Sequence, residues 1–394
     1  MKGWQIQKLG EVCSFLNRGI SPRYLEDGGI CVLNQKCIRD HRVSYEPSRR
    51  HDVMTKKFGN ERLVKAGDVL VNSTGTGTLG RVAQLRENPP ELTTVDSHVT
   101  IVRPTPGKFY PDFFGYMLVL IEDAIKDAGE GCGGQTELAR SILAEKFSVQ
   151  YPESHPEQQR ISSILDEAFE GISTAKANAE KNLQNARALF ESHLQSIFTK
   201  RGNGWVETTL GEACEFVGGS QPPKSVFSKT KKADNIRLIQ IRDYKSDKHV
   251  VYIPRAQARR FCSANDVMIG RYGPPLFQIL RGLAGAYNVA LMKAMPDESK
   301  ISRDFLFYFL KHSTILQYVI YHSERAAGQI GLTKETLEPY PIALPSLADQ
   351  QNIVEKIIGL ESETQHLASL YEHKLATLEA LKKSLLHQAF TGEL

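Results

Sequence analysis

At 394 residues the chain is long enough for two or more domains with ordinary cores. A net charge of +4, with 41% hydrophobic and 24% charged residues, excludes a disordered or fibrous chain and a polybasic nucleic-acid coat, while leaving room for local basic surfaces. No stretch approaches the ~20 apolar residues of a membrane span, and MKGWQIQKLGEV has no apolar signal core, so a soluble, cytoplasmic protein without membrane contact is expected.

The first unit spans 1–152. It opens on Trp4-x-x-x-Lys8-Leu9-Gly10-Glu11-Val12-Cys13. A β-rich run follows at Ile30–Gln35, then a turn feeding a strand at Lys65–Val71. Pro111–Leu118 reads as an aromatic helix, Gly134-Gln135 marks a loop, and a strand-like exit ends in Tyr151-Pro152.

A long helix is expected next, within 153–200. Apolar residues at Ile161, Leu165, Ala168, Ile172, Ala175, Ala179, Leu183, Ala186, Phe190, Leu194 and Ile197 step by threes and fours, the period of one helix face. No proline interrupts the run after Pro156, which stands where a helix start tolerates one. Arg201-Gly202-Asn203-Gly204 is a short joint.

The plan then repeats. Trp205-x-x-x-Thr209-Leu210-Gly211-Glu212-Ala213-Cys214 opens a second unit, 201–345. Ile236–Ile241, Ser263–Ile269, Ser302–Leu310, Gly328-Gln329 and Leu344-Pro345 parallel the landmarks of the first. A second rod, 346–394, keeps a 4-3 alternation at Ile353, Ile357, Leu360, Thr364, Leu367, Tyr371, Lys374, Leu378, Leu381 and Leu385, a heptad seam. Both rods open alike, Glu157-Gln158-Gln159-Arg160-Ile161 and Asp349-Gln350-Gln351-Asn352-Ile353. The expected fold is α+β: two β-rich mixed units separated by two long helices that pair as an antiparallel coiled coil, in a pseudo-twofold repeat. The frame repeats and the filling does not, since 73–80 reads STGTGTLG and 270–277 reads GRYGPPLF.

Several motifs suggest enzymes and fail on inspection. Gly75-Thr76-Gly77-Thr78-Leu79-Gly80 fits a dinucleotide fingerprint, but Arg81-Val82-Ala83 reads as a strand where a helix is needed. Asn88-Pro89-Pro90-Glu91 lacks the aromatic residue that holds a flipped adenine. Asp96-Ser97-His98 cannot form a triad by adjacency along a strand. Histidines lack ligand spacing, and Cys13, Cys31, Cys37, Cys132, Cys214 and Cys262 lack a C-x-x-C pair, so no metal site is expected and the thiols read as idle. No catalytic constellation emerges.

Basic residues with interleaved aromatics recur in both units. The first has Arg39, Arg42, Arg49, Arg50, Lys56, Lys57 and Arg62 around Tyr45; the second has Arg237, Arg242, Arg255, Arg259, Arg260 and Arg271 around Tyr244, Tyr252 and Tyr272. Arg and Lys neutralise phosphate, and Arg, Asn and Gln read base edges. Polar loops between strands give the candidate DNA-binding residues Gln35, Lys36, Arg39, Asn72, Ser73, Thr74, Thr76, Thr78 and Arg81, with Gln240, Arg242, Arg271 and Tyr272 in the second unit.

From end to end the chain resembles the specificity subunit of type I restriction–modification systems. The resemblance is carried by Trp4–Glu11 and Trp205–Glu212, the loop Val71–Gly80, the two rod openings, and Gln388-Ala389-Phe390-Thr391-Gly392-Glu393-Leu394. The second unit departs from it in lacking the Ser-Thr-Gly-Thr-Gly loop. The resemblance implies a non-catalytic reader of double-stranded DNA with two target recognition domains, each docking one half of a split sequence. The rods, through Ile161, Leu165, Ile172, Leu183, Phe190, Leu194, Ile353, Ile357, Leu360, Leu367, Leu378 and Leu385, would set the gap and dock two modification subunits. Those subunits bind S-adenosylmethionine and methylate adenine; restriction subunits using ATP and Mg would join outside; this chain would hold no cofactor. The alternative reading is a coiled-coil interaction scaffold without DNA binding.

Overall fold

The computed structural model describes residues 3–129, 137–200, 202, 204–324 and 331–394. Cys132, Gly134, Gln135, Arg201, Asn203, Gly328 and Gln329, singled out above, lie outside them. The chain divides into two compact units, Met1–Ala179 with Lys374–Leu394, and Glu180–His373.

In the first unit an antiparallel sheet runs in the order Cys13–Arg18, Val99–Pro104, Val69–Asn72, Val82–Gln84. Its β-branched strands are covered on both faces, so Val69, Leu70 and Val71 are fully buried. A second sheet orders Thr93–Val95, Ile30–Leu33, Arg49–His51 and Tyr24–Leu25, with the first pair parallel. The expected aromatic helix spans Pro111–Leu120 with proline in its first turn, and sinks Phe113, Phe114 and Met117 into the core. Trp4–Lys8 pairs with the exit strand Ser148–Pro152.

The second unit repeats the first sheet strand for strand: Cys214–Gly218, Leu291–Pro296, Val267–Gly270, Gln278–Leu280. Its other sheet keeps the parallel pair, Asn235–Ile239 with Gly285–Tyr287, and the antiparallel neighbour Tyr252–Pro254. The extra edge strand differs. It is Phe261–Cys262 beside Gly285–Tyr287 here, and Tyr24–Leu25 beside Arg49–His51 in the first unit.

The two rods are helices His155–Thr199 and Leu347–Thr391, each of 45 residues, or about 67 Å at ~1.5 Å per residue. Ser154 and Ser346 cap them, accepting the amides of Glu157 and Asp349. The paired Gln-Gln motif has a physical reason. Gln158 is fully buried, accepts the Tyr110 amide at 2.7 Å and donates to Pro152 O at 2.7 Å. Gln350 does the same work in the second unit, accepting the Ser302 amide and donating to Pro345 O and Lys300 O.

Within the first unit, the start of the first helix pairs antiparallel with the end of the second. Ile161 and Leu165 join Leu386, Ala389 and Phe390, with Leu385 partly covered. Lys176 lies 3.9 Å from Glu379. Within the second unit, Leu194 joins Val354 and Ile357, with Phe190 and Ile353 against them, and Arg187 pairs with Glu372 at 2.7 Å. Every predicted face position of the first helix is buried or half-buried, Ile172 and Leu183 included.

The second helix departs from its predicted seam. Ile357, Thr364, Tyr371, Leu378 and Leu385 face inward, but the alternate row is Glu361, Ala368, Leu375 and Lys382. Leu360 is half-buried like Glu361 beside it, whereas Lys374 is exposed, as are Leu367 at 39% and Leu381 at 45%. A 4-3 pattern survives, shifted by one residue in every second position. Leucines on a neighbouring face mimic a seam in sequence, because one residue is only about 100° of helix rotation.

Candidate nucleic-acid interface

In the first unit the chain leaves strand Val69–Asn72 into 73–80 and returns as Val82–Gln84. The glycine-rich run is thus a turn between antiparallel strands and opens no helix. Gly75 has φ +101°, and a Cβ there would meet Gln35 Oε1 and Thr78 Oγ1 at 2.4 and 2.5 Å. The loop packs on the short turn Gln35–Cys37: Asn72 Nδ2 donates to Gln35 O at 3.0 Å and Thr78 O at 3.1 Å, and Thr78 Oγ1 to Gln35 Oε1 at 3.3 Å. Two separate groups of candidates therefore meet in one place.

Their roles divide by exposure. Lys36, Arg39 and Thr76 are exposed; Gln35, Thr74, Thr78 and Arg81 are half-buried. Asn72 and Ser73 are fully buried, which corrects their expected role as DNA contacts. Asn72 ties the loop to the 35–37 turn, and Ser73 bonds Val71 O and Thr100 Oγ1. Arg81 donates to Gly77 O at 3.0 Å and braces the loop. His98, dismissed as a triad member, hydrogen-bonds Thr74 Oγ1 through Nδ1 at 2.6 Å. Asp96 accepts the His98 amide, and burial raises its carboxyl pKa. Sequence reasoning missed this pairing, because Thr74 and His98 come together only through strand register.

The other enzyme-like motifs are structural. Asn88 accepts the Ala66 amide at 3.0 Å, and Glu91 pairs with Arg50 at 2.6 Å. All five described cysteines are free thiols; burial raises Cys13 and Cys214 to about 12, and Cys37 and Cys262 to about 11. Such thiols are unreactive near neutrality. Among the described residues no His, Cys, Asp and Glu cluster could hold a metal, and no helix is long and apolar enough to cross a membrane.

In the second unit Gln240 precedes the turn Ile241–Tyr244, and its amide donates to Asp243 Oδ2 at 3.1 Å. By that geometry Gln240 matches Asn34, whose amide faces Cys37 Sγ, one residue off from Gln35. Arg242 is exposed, as is Tyr272 at 40%. Arg271 is more committed than expected. Its Nε donates to Leu332 O at 2.8 Å and its Nη1 to Val289 O at 3.3 Å, beside the Tyr272 ring at 5.3 Å. It occupies the place of Ser73, since Leu138 and Leu332 donate their amides to Ser73 O and Arg271 O. Arg271 therefore supports the loop, leaving Arg242 and Tyr272 as the outward members.

The family model for the type I restriction modification DNA specificity domain matches residues 1–183 and 202–372. A Methanocaldococcus jannaschii protein carrying the name type I restriction enzyme MjaX specificity subunit is 21% identical over 422 residues, 99% of this chain and 93% of that one. A chain from work on complex assembly and conformational transition of the type I R-M system superposes with a TM-score of 0.79 at 18% identity, covering 100% of this chain and 99% of that one. The HsdS subunit of Thermoanaerobacter tengcongensis follows with a TM-score of 0.59 at 19% identity, covering 100% and 98%. Two family matches on two units of one strand order, joined by paired helices, agree on a single conclusion: the chain belongs to the type I restriction modification DNA specificity family.

Proposed function

We propose that each unit reads one half of a split double-stranded DNA target, and that the chain itself carries no catalysis. One observation supports this most: the same sheet, in the same strand order, presents STGTGTLG in one unit and GRYGPPLF in the other. A repeated scaffold with unlike polar loops suits two unlike half-sites. In the first unit Lys36, Arg39, Thr76 and Gln35 face the duplex; in the second, Arg242 and Tyr272 do. Arginines supply phosphate and base-edge contacts, while hydroxyls and amides position them.

The long helices set the gap between half-sites and dock two modification subunits. Exposed apolar residues of the helices supply the docking surface: Leu189 at 51%, Leu370 at 50%, Leu367 and Leu381. The modification subunits bring S-adenosylmethionine for adenine methylation. Restriction subunits, with ATP and Mg, complete a cytoplasmic assembly. The test is duplex binding by the chain assembled with its modification subunits, from about 50 to 200 mM salt. Counterion release predicts a fall of a hundredfold or more for several phosphate contacts. Binding that is absent or insensitive to salt points instead to a protein-binding scaffold.

A further inference from the structure

Ile38–Arg39 and Arg42–Val43 pair as a short hairpin whose turn residues, Asp40 and His41, have φ of 51° and 59°. Two positive φ values in succession are normally met by Asn or Gly. Asp and His there cost free energy, which surrounding contacts must offset. His41 has such contacts. Lys382 Nζ, from the second long helix, lies 2.8 Å from His41 Nδ1. An ammonium only donates, so Nδ1 accepts and Nε2 carries the ring proton. Nε2 lies 3.2 Å from Glu122 Oε2. Glu122 in turn accepts the Val82 amide at 2.9 Å, where the strand leaves the 73–80 loop, and Lys126 Nζ at 2.6 Å. Lys382 also lies 5.2 Å over the Phe169 ring, and its neighbour Lys383 pairs with Asp123 at 2.8 Å.

We infer that Lys382 is a positioning residue for DNA reading: through His41 and Glu122 it fixes the Arg39–Arg42 hairpin and the base of the 73–80 loop against the second long helix. The inference rests on the proposed DNA-reading role of the first unit. Lys382 is half-buried on the helix, and its ammonium has the imidazole as a hydrogen-bond acceptor. Without it the strained turn loses its outer clamp, and the two exposed arginines lose their fixed direction.

The test uses the chain assembled with its modification subunits. Duplex affinity is measured against salt for the unmodified complex, Lys382→Met, Lys382→Arg, the pair Arg39→Ala with Arg42→Ala, and the triple variant. Lys382→Met is expected to weaken binding about tenfold, as for one or two charge-assisted contacts. It should also flatten the salt slope by about 1–2. Lys382→Arg should restore most of both. In the triple variant, Lys382→Met should add little to the arginine pair. His41→Asn suits the positive-φ turn while removing the ring, so it keeps the fold and should copy the loss. A loss that is fully additive with the arginine pair, or that leaves the slope unchanged, overturns the inference. If the arginine pair itself leaves the slope unchanged, the DNA-reading role of the hairpin fails, and the inference falls with it.

Discussion

Glu122 accepts from three neighbours: the Val82 amide, Lys126 and His41. Burial alone would raise its pKa, yet the hydrogen bonds from His41 and Lys126 outweigh burial and bring it from 4.5 to about 2. A carboxyl with a depressed pKa in the folded state stabilises above its unfolded value, and that stability is lost as pH falls toward the folded value. Urea unfolding of Glu122→Gln should therefore show a deficit that is full above pH 4.5 and closes as pH approaches 2. A deficit independent of pH would contradict this. The same site shows what sequence leaves hidden at this scale. Arg39 and Thr76 are legible as polar loop residues, but nothing in the chain order joins His41 to Lys382. Equally, Asn72 and Ser73 look like recognition residues until their burial shows that they build the loop. Residue type reports what chemistry a side chain can do; exposure decides whether it faces a ligand.

Among the elements, both long helices and the duplicated landmarks are visible in sequence, because helical periodicity and repeated short motifs are local signals. The seam of Leu347–Thr391 is read less well. Leu360, Leu367 and Leu381 lie one residue from Glu361, Ala368 and Lys382, and a leucine-rich face competes with the true seam. What lies against each position chooses between them, with Glu361 meeting Tyr308 and Lys311 and Lys382 meeting His41, which is tertiary information. The Gln-Gln motif, by contrast, is noticed only as a repeat and explained only by structure. Gln350 accepts one amide and donates to two carbonyls while fully buried. Gln350→Met keeps the volume and leaves those groups unpaired, so it should cost about 2–3 kcal/mol in denaturant unfolding. Gln351→Met, at an exposed position, should stay within about 0.5 kcal/mol. Equal effects of the two would contradict the anchoring role of the buried glutamine.

For the whole molecule, duplication is the physical fact from which function follows. One strand order serves twice, the helix openings are fastened by the same buried glutamine, and the loops between strands diverge. Unlike loops on like scaffolds suit the reading of two unlike pieces of DNA. The most direct measurement is a map of methylated adenines in a genome carrying this chain with its modification subunits. A split motif is expected: two dissimilar half-sites separated by a fixed run of unspecified bases. A single uninterrupted motif, or two identical halves, would contradict it.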